Sequence, residues 1–403
     1  MDVDFTNLLI VAAAAFAAPL VLGMVPALRL PAVVLEIVLG IVLGPSVLDW
    51  ARVDDSVQLM SLLGLAFLLL LAGLEVEVER FRGRLLKLTG LGFVASLGIA
   101  LAYAFALHAG GLVKSPLLIA IIASATSLGI VIPVLKDAGE ASTEFGQLVL
   151  AGASIADVAT IVLLSLFFSE KSSGLGAKLS LLGAFVAVVL AIAAVVLGAE
   201  RSTRISGALL RLQDTTAQIR VRGAFALLVG FVVLAERFGL EAILGAFMAG
   251  FVLKLVDRDR AMTHTHFHQK LAEAGFGIFV PFFFVSSGLK FDGGALFDKP
   301  STLALVPLFV GLLVAARAVP ALLYRPLLDS RRVAAAGLLQ ATTLGFIVVA
   351  SQIGMDLGLI AKGTGAAFIA AGLVSVLVFP LTALSLLRPG RISRSAPASA
   401  PAS

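Results

Sequence analysis

Thirteen apolar runs, most of them close to the ~20 residues that cross a bilayer core as helix, follow one another along these 403 residues. They fall at about 5–27, 31–49, 57–75, 84–108, 116–135, 145–168, 179–199, 221–236, 240–256, 272–289, 302–325, 332–353 and 360–387. Such a chain cannot hide its apolar surface in one water-soluble core. Its residues are 60% hydrophobic and only 14% charged, against about 45–50% and about 25% in soluble domains. The ~10-residue alternating segments of a membrane barrel are absent. The pattern predicts an all-α polytopic membrane protein with about thirteen spans. The first run lacks a basic leader, so it reads as span 1 and not as a signal peptide. There are no cysteines, which excludes disulfides, thiolate metal sites and cysteine nucleophiles.

The charges orient the chain. Of 30 lysines and arginines, 21 lie in one set of alternate loops and 7 in the other; Lys290 and Arg317 remain. The positive-inside rule then predicts an outer N-terminus and a cytoplasmic C-terminus. The net charge of +5 points to an anionic leaflet as the basic loops' partner, not to nucleic acid. The end, RISRSAPASAPAS, is Ser/Ala/Pro-rich and reads as a disordered tail over 391–403.

Three short matches recur seven spans apart. Ala125-Thr126-Ser127-Leu128-Gly129 in span 5 matches Ala341-Thr342-Thr343-Leu344-Gly345 in span 12. FLLLLAGLEVE (67–77) matches FFFVSSGLKFD (282–292), and Glu36…Leu39-Gly40 matches Glu241…Leu244-Gly245. An odd separation runs partners in opposite directions, so the matches predict inverted-topology repeats over about 5–168 and 221–387, with a linker helix at about 179–199. Repeats of this kind are a feature of secondary transporters, whose sites lie near interrupted helices at the midplane. The ATSLG and ATTLG stretches are the predicted interruptions. Hydroxyls can satisfy backbone groups freed by a break, and glycine relaxes the dihedral limits. Thr342 and Thr343 mark the second break.

Asp157 sits mid-span in AGASIADVATIVLL (151–164), and Arg317 lies slightly past the middle of LALVPLFVGLLVAARAVPALLY. A charge at a helix centre costs about 2.5–3.5 kcal/mol on insertion scales. Such groups survive by pairing, by facing water or by serving an ion path. A structural Asp157–Arg317 pair is one reading. A second makes Asp157 an ion and proton site. Na⁺ and K⁺ prefer oxygen ligands, which Asp157, Ser154, Thr126, Ser127 and carbonyls freed at a break can supply. If only the loaded, neutralised site crosses, competition between proton and cation yields exchange.

RLPAVVLEIVLGIVLGPSVL (29–48), FLLLLAGLEVEVERFRG (67–83), ATSLGIVIPVLKDAG (125–139), ILGAFMAG (243–250) and PFFFVSSGLKFD (281–292) together resemble the monovalent cation:proton antiporter superfamily. The similarity is greatest to the branch with bacterial potassium-efflux and sodium/proton antiporters and plant cation/proton exchangers. The resemblance implies a core domain of spans 4–6 and 11–13 with crossed discontinuous helices, a dimerisation domain, a homodimer in a prokaryotic-type inner membrane, Na⁺ or K⁺ and H⁺ as cargo, and no cofactor. It implies Asp157 as the ion-binding aspartate and Arg317 as the core basic residue. The family usually carries a polar or acidic residue directly before this aspartate; here it is Ala156. That departure points to electroneutral 1:1 exchange. Arg317 has Asp157 or helix-end carbonyls as candidate partners.

Weaker features are read blandly. MTHTHFHQK, with His264, His266 and His268, reads as a solvated basic loop rather than a pH or metal sensor. Lys290 reads as an outer-interface residue, and Phe279 to Phe284 as a face packed on lipid or on a second copy. His108 ends span 4. An intramembrane hydrolase would want two close carboxylates where one lies at depth. Two further readings keep the transporter fold: a non-transporting sensor, and sodium-coupled uptake of an organic solute.

Overall fold

A computed structural model describes residues 5–25, 31–76, 83–168, 175–200, 218–256 and 261–387. The basic segments at 26–30, 77–82, 201–217 and 257–260, and the tail, lie outside the described residues. The described chain is helical. In order the helices are α1 (Thr6–Met24), α2 (Ala32–Leu43), α3 (Asp55–Glu75), α4 (Gly83–Ala109), α5 (Pro116–Ala123), α6 (Leu128–Asp137), α7 (Glu144–Phe168), α8 (Leu175–Glu200) and α9 (Ile219–Arg237). There follow α10 (Ala242–Val256), α11 (Ala261–Ala274), a π-helical turn (Gly275–Phe279), α12 (Val280–Leu289), α13 (Gly293–Phe297), α14 (Pro300–Ala318), a 3₁₀ turn (Pro320–Tyr324), α15 (Ser330–Ala341), α16 (Gly345–Asp356) and α17 (Lys362–Leu387). Eight described helices are long and apolar enough to cross a membrane, or nine if the bent pair α15–α16 is one span. The helical stretches at Ala32–Leu43, Pro116–Ile132 (which spans the end of α5 and the start of α6) and Ala242–Leu255 are apolar but shorter.

Both interruptions occur where the repeated motifs lie. Helix α5 stops at Ala123 and α6 begins at Leu128; α15 stops at Ala341 and α16 begins at Gly345, with a bend of 41°. Local chemistry explains the stops. The hydroxyls of Ser124 and Thr342 donate back to the carbonyls of Ala120 and Leu338, at 2.8 and 3.0 Å. Such bonds compete with continuation of the helix.

The helices pack as two groups. In one, α3 packs on α10 and α12, α2 on α12 and α1, and α10 on α9. In the other, α4 packs on α5, α7 and α14, and α17 on α14, α15 and α16. The first group is held at very short range by glycines. A Cβ on Gly250 would clash with the Leu70 carbonyl oxygen, and one on Gly73 with that of Phe247. Gly40 and Gly288 stand in the same relation to Val285 and Ile37 across α2 and α12. Small residues allow backbones this close where lipid offers no hydrophobic drive. Gly250→Val is therefore expected to lower the melting temperature of the detergent-solubilised protein sharply, since overpacking commonly costs ~1–3 kcal/mol and here the obstacle is backbone. A wild-type melting curve would show that α3 and α10 are not held so tightly.

Two bland readings need correction. The histidine segment is not a loop: residues 261–274 form α11, continuous with α12 through the π-helical turn. No Gly or Pro breaks it before Gly275, and Phe267 and Leu271 pack with Leu71, Leu74 and Ala224. The Phe-rich face is not turned to lipid either. Phe282, Phe283 and Phe284 are buried, and Phe279 stacks on Phe67 with ring centroids 4.6 Å apart. Near the other end of these helices, Lys290 donates to Gln58 Oε1 at 2.9 Å, and His108 Nδ1 lies 2.8 Å from the Val113 carbonyl.

Candidate functional site

The two breaks meet. The Ser127 amide donates to the Thr342 carbonyl at 2.9 Å, and the Leu344 amide donates to Ser127 Oγ at 3.2 Å. Thr126 Oγ1 donates to the Gln340 carbonyl at 2.7 Å. On the far side, Ser375 of α17 closes the second break: its hydroxyl reaches the Thr343 carbonyl at 2.9 Å and accepts from the Thr343 amide at 3.2 Å. The Thr343 hydroxyl is itself buried without a partner among the described residues. Ser375→Ala would leave an amide and a carbonyl unpaired at the crossing, at ~1–3 kcal/mol for a buried orphan. A measurable fall in melting temperature is expected; none would mean that the break does not rely on Ser375.

Four half-helix ends converge here. The C-terminal ends of α5 and α15 present carbonyls and partial negative charge; the N-terminal ends of α6 and α16 present amides and partial positive charge. The two buried charges sort accordingly. Arg317 (3% exposed) goes to the carbonyl-rich side. Its Nη2 donates to Thr126 Oγ1 at 2.8 Å and to the Gly152 carbonyl at 3.4 Å, and its Nε to the Gln340 carbonyl at 3.3 Å. Nη1 lies 3.5 Å from Ser96 Oγ. Asp157 goes to the amide side, sharing a cavity wall with Leu128, first residue of α6. Among the described residues no ion pair joins Asp157 to Arg317. The direct pair considered from sequence is replaced by the helix-end carbonyls.

Asp157 opens into a cavity of about 130 Å³ between the two helix groups, roomy enough for several waters. Thr126, Ser127, Leu128, Asp157 and Phe346 line it from one side; Leu68, Glu75, Phe276 and Phe284 line it from the other. The structure thus brings Asp157, Thr126 and Ser127 together. Ser154 stands apart: its hydroxyl donates to the Leu150 carbonyl one turn back, at 2.9 Å, and it is not part of the cavity wall. Thr160 likewise bonds back to Ala156, at 2.6 Å. Glu36 is buried, at 5% exposed, and Glu75, half-buried, borders the cavity.

Sequence reasoning missed Gln340, Gly152, Tyr324 and Ser375. Gln340 lends its carbonyl to Arg317 and Thr126, and its Nε2 donates to the Tyr324 hydroxyl at 3.1 Å. Gly152 is needed because any Cβ there would strike the Gln340 amide. Gln340 and Ser375 carried a signal, as polar residues inside apolar runs.

Residues 12–388 match the family described as sodium/hydrogen exchanger, transmembrane. The chain belongs to this family, within the monovalent cation:proton antiporter superfamily. It is 31% identical over 392 residues to the putative Na⁺/H⁺ antiporter YjbQ of Bacillus subtilis, covering 93% of this chain and 62% of that relative's length. It is 25% identical over 362 residues to the probable Na⁺/H⁺ antiporter 3 of Methanocaldococcus jannaschii, covering 88% and 89%. Among solved structures, the sodium proton antiporter MjNhaP1 of the same archaeon superposes with a TM-score of 0.68 at 18% identity, covering 93% of this chain and 96% of that one. The two chains share a fold.

Proposed function

We propose that this protein is a secondary antiporter that exchanges Na⁺ or K⁺ for H⁺ by alternating access, and that Asp157 is the group both ions occupy. One observation carries the reading: a carboxylate midway along an apolar helix, beside the N-terminus of α6, opens into a water-sized cavity at the seam between two helix groups. The cation would take Asp157 as its charged ligand. Ser127 Oγ on the cavity wall, one lone pair of Thr126 Oγ1 and water would add oxygens. Arg317 would hold the crossed breaks, and Thr342 and Thr343 would shape the second of them. Sliding of one group against the other would expose Asp157 to either side, and the bare carboxylate would be too costly to carry through an apolar seam.

One carboxylate takes one proton or one alkali ion, which gives electroneutral 1:1 exchange. Ala156, fully buried beside it, adds no second titrating group. In this reading the thirteen helical segments form inverted repeats, the basic loops face the cytoplasm of a prokaryotic-type inner membrane, and the sparsely buried α1 and α8 meet lipid or a second copy in a homodimer. The test is flux in proteoliposomes carrying a pH dye. Na⁺ or K⁺ gradients are expected to move protons at a rate indifferent to a clamped membrane potential. A rate that follows the potential would overturn the 1:1 stoichiometry. Silence with Na⁺, K⁺ and Li⁺ alike would overturn antiport.

A further inference from the structure

We propose that one face of α16 is the outer leg of the ion's route, and that its single turn between Val349 and Gln352 is the gate that shuts it. The inference rests on the antiport reading above and on the orientation given there. Helix α16 starts at the crossing with Gly345 and ends on Asp356. Its first half meets the Asp157 cavity through Gly345, Phe346 and Val349. Its second half meets two other cavities. One, of about 280 Å³, is walled by Gln352 and Asp356 together with Lys290 and Lys362. The other, of about 370 Å³, is walled by Ile353 and Asp356 together with Glu236 and Glu241. Residues 345, 349, 352 and 356 are three or four apart, so they form one stripe of the helix. Asp356 walls both outer cavities, and no described residue that walls either of them also walls the Asp157 cavity.

The stripe is open at both ends and closed in the middle. Val349 and Gln352 are separated by ~4.5 Å of helix, at 1.5 Å per residue. Val349 is apolar and buried, as befits a constriction that gates by excluding water. No polar latch spans the seam here. Lys290 donates to Gln58 of α3 at 2.9 Å, and Gln352 to Asp356 Oδ1 at 3.0 Å. Each bond stays within its own helix group, and no ion pair among the described residues joins Lys290 to Asp356. Opening the gate therefore parts apolar contacts without breaking an ion pair. A slide of the two groups by about one turn, ~5 Å, would join the Asp157 cavity to the outer ones.

Because the chain has no cysteine, single cysteines report water access directly. A membrane-impermeant, ammonium-bearing thiol reagent is applied to the outer face of right-side-out vesicles. Gln352→Cys is expected to react without any cation gradient. Val349→Cys is expected to react at least ~10-fold more slowly from that face, since a minor conformer is populated at about 0.1–10%, and to speed up when a cation gradient drives the cycle. Ser351→Cys is the control: Ser351 is fully buried on the same helix and walls none of the three cavities, so it should stay unreactive. Equal reactivity at positions 349 and 352 without a gradient overturns the gate. So does a Val349→Cys protein that exchanges ions at the wild-type rate and never reacts from outside. Phe346→Cys, about one turn deeper on the stripe, repeats the test if Val349→Cys folds poorly. Absence of cation-driven proton flux in the wild type would fault the antiport reading alone; the difference between Val349→Cys and Gln352→Cys without a gradient is read independently of it.

Discussion

Asp157→Asn is expected to abolish cation-coupled proton movement while leaving the protein as stable as wild type, or more so. Asparagine matches the aspartate in size, so the cavity wall keeps its shape. It neither binds a proton near neutral pH nor offers a charged oxygen to a metal ion. We expect the exchange rate to fall by at least ~100-fold, equivalent to ~2.7 kcal/mol of lost barrier lowering. Stability should move the other way, because an uncompensated charge in an apolar surround is costly and its neutral isostere is not. The check pairs proteoliposome flux with thermal unfolding in detergent. Retained exchange in Asp157→Asn would sink the proposed mechanism; lost exchange with lost folding would mean that the carboxylate braces α7 instead.

Arg317→Ala should have the opposite signature, with folding failing first. The guanidinium donates to Thr126, Gly152 and Gln340 and reaches Ser96, which lie in the first break, on α7, on α15 and on α4. Its removal leaves buried acceptors without donors, and breaking a buried charged network of this kind typically costs ~3–5 kcal/mol. Little folded protein should be recovered. Arg317→Lys should recover part of the loss, since an ammonium keeps the charge but not the planar fork. Melting temperature and yield decide the matter. If Arg317→Ala melts like wild type yet does not transport, the arginine acts on the ion and not on the crossing.

The ease of reading varied with how locally each residue declared itself. Asp157 and Arg317 stood out because a charge in an apolar run needs a reason wherever the fold puts it. The breaks at 124–127 and 342–344 were legible because ATSLG and ATTLG recur and hydroxyls compete with helix bonds. Ser154 was attractive only by spacing; three residues from Asp157 on a helix, it spends its hydroxyl on Leu150. Gly152 and Tyr324 gave no warning, since their value lies in Gln340, which is distant in sequence from the first and a full loop away from the second. The helix at 261–274 was hidden by its polar composition, because its few apolar residues find Leu71 and Leu74 only after α3 is in place.

In the proposed antiport, the distribution of the buried charges would have a practical effect on turnover. Arg317 spends its hydrogen bonds on carbonyl oxygens and hydroxyls at the crossing, so it is no resident counter-ion clamped to the acid. Under that proposal an arriving cation or proton would have no paired arginine to evict, and a departing one would leave behind no rival waiting to seal the vacancy. Each visit would then be governed by how readily the visitor sheds its water, which would keep the two competitors interchangeable cycle after cycle.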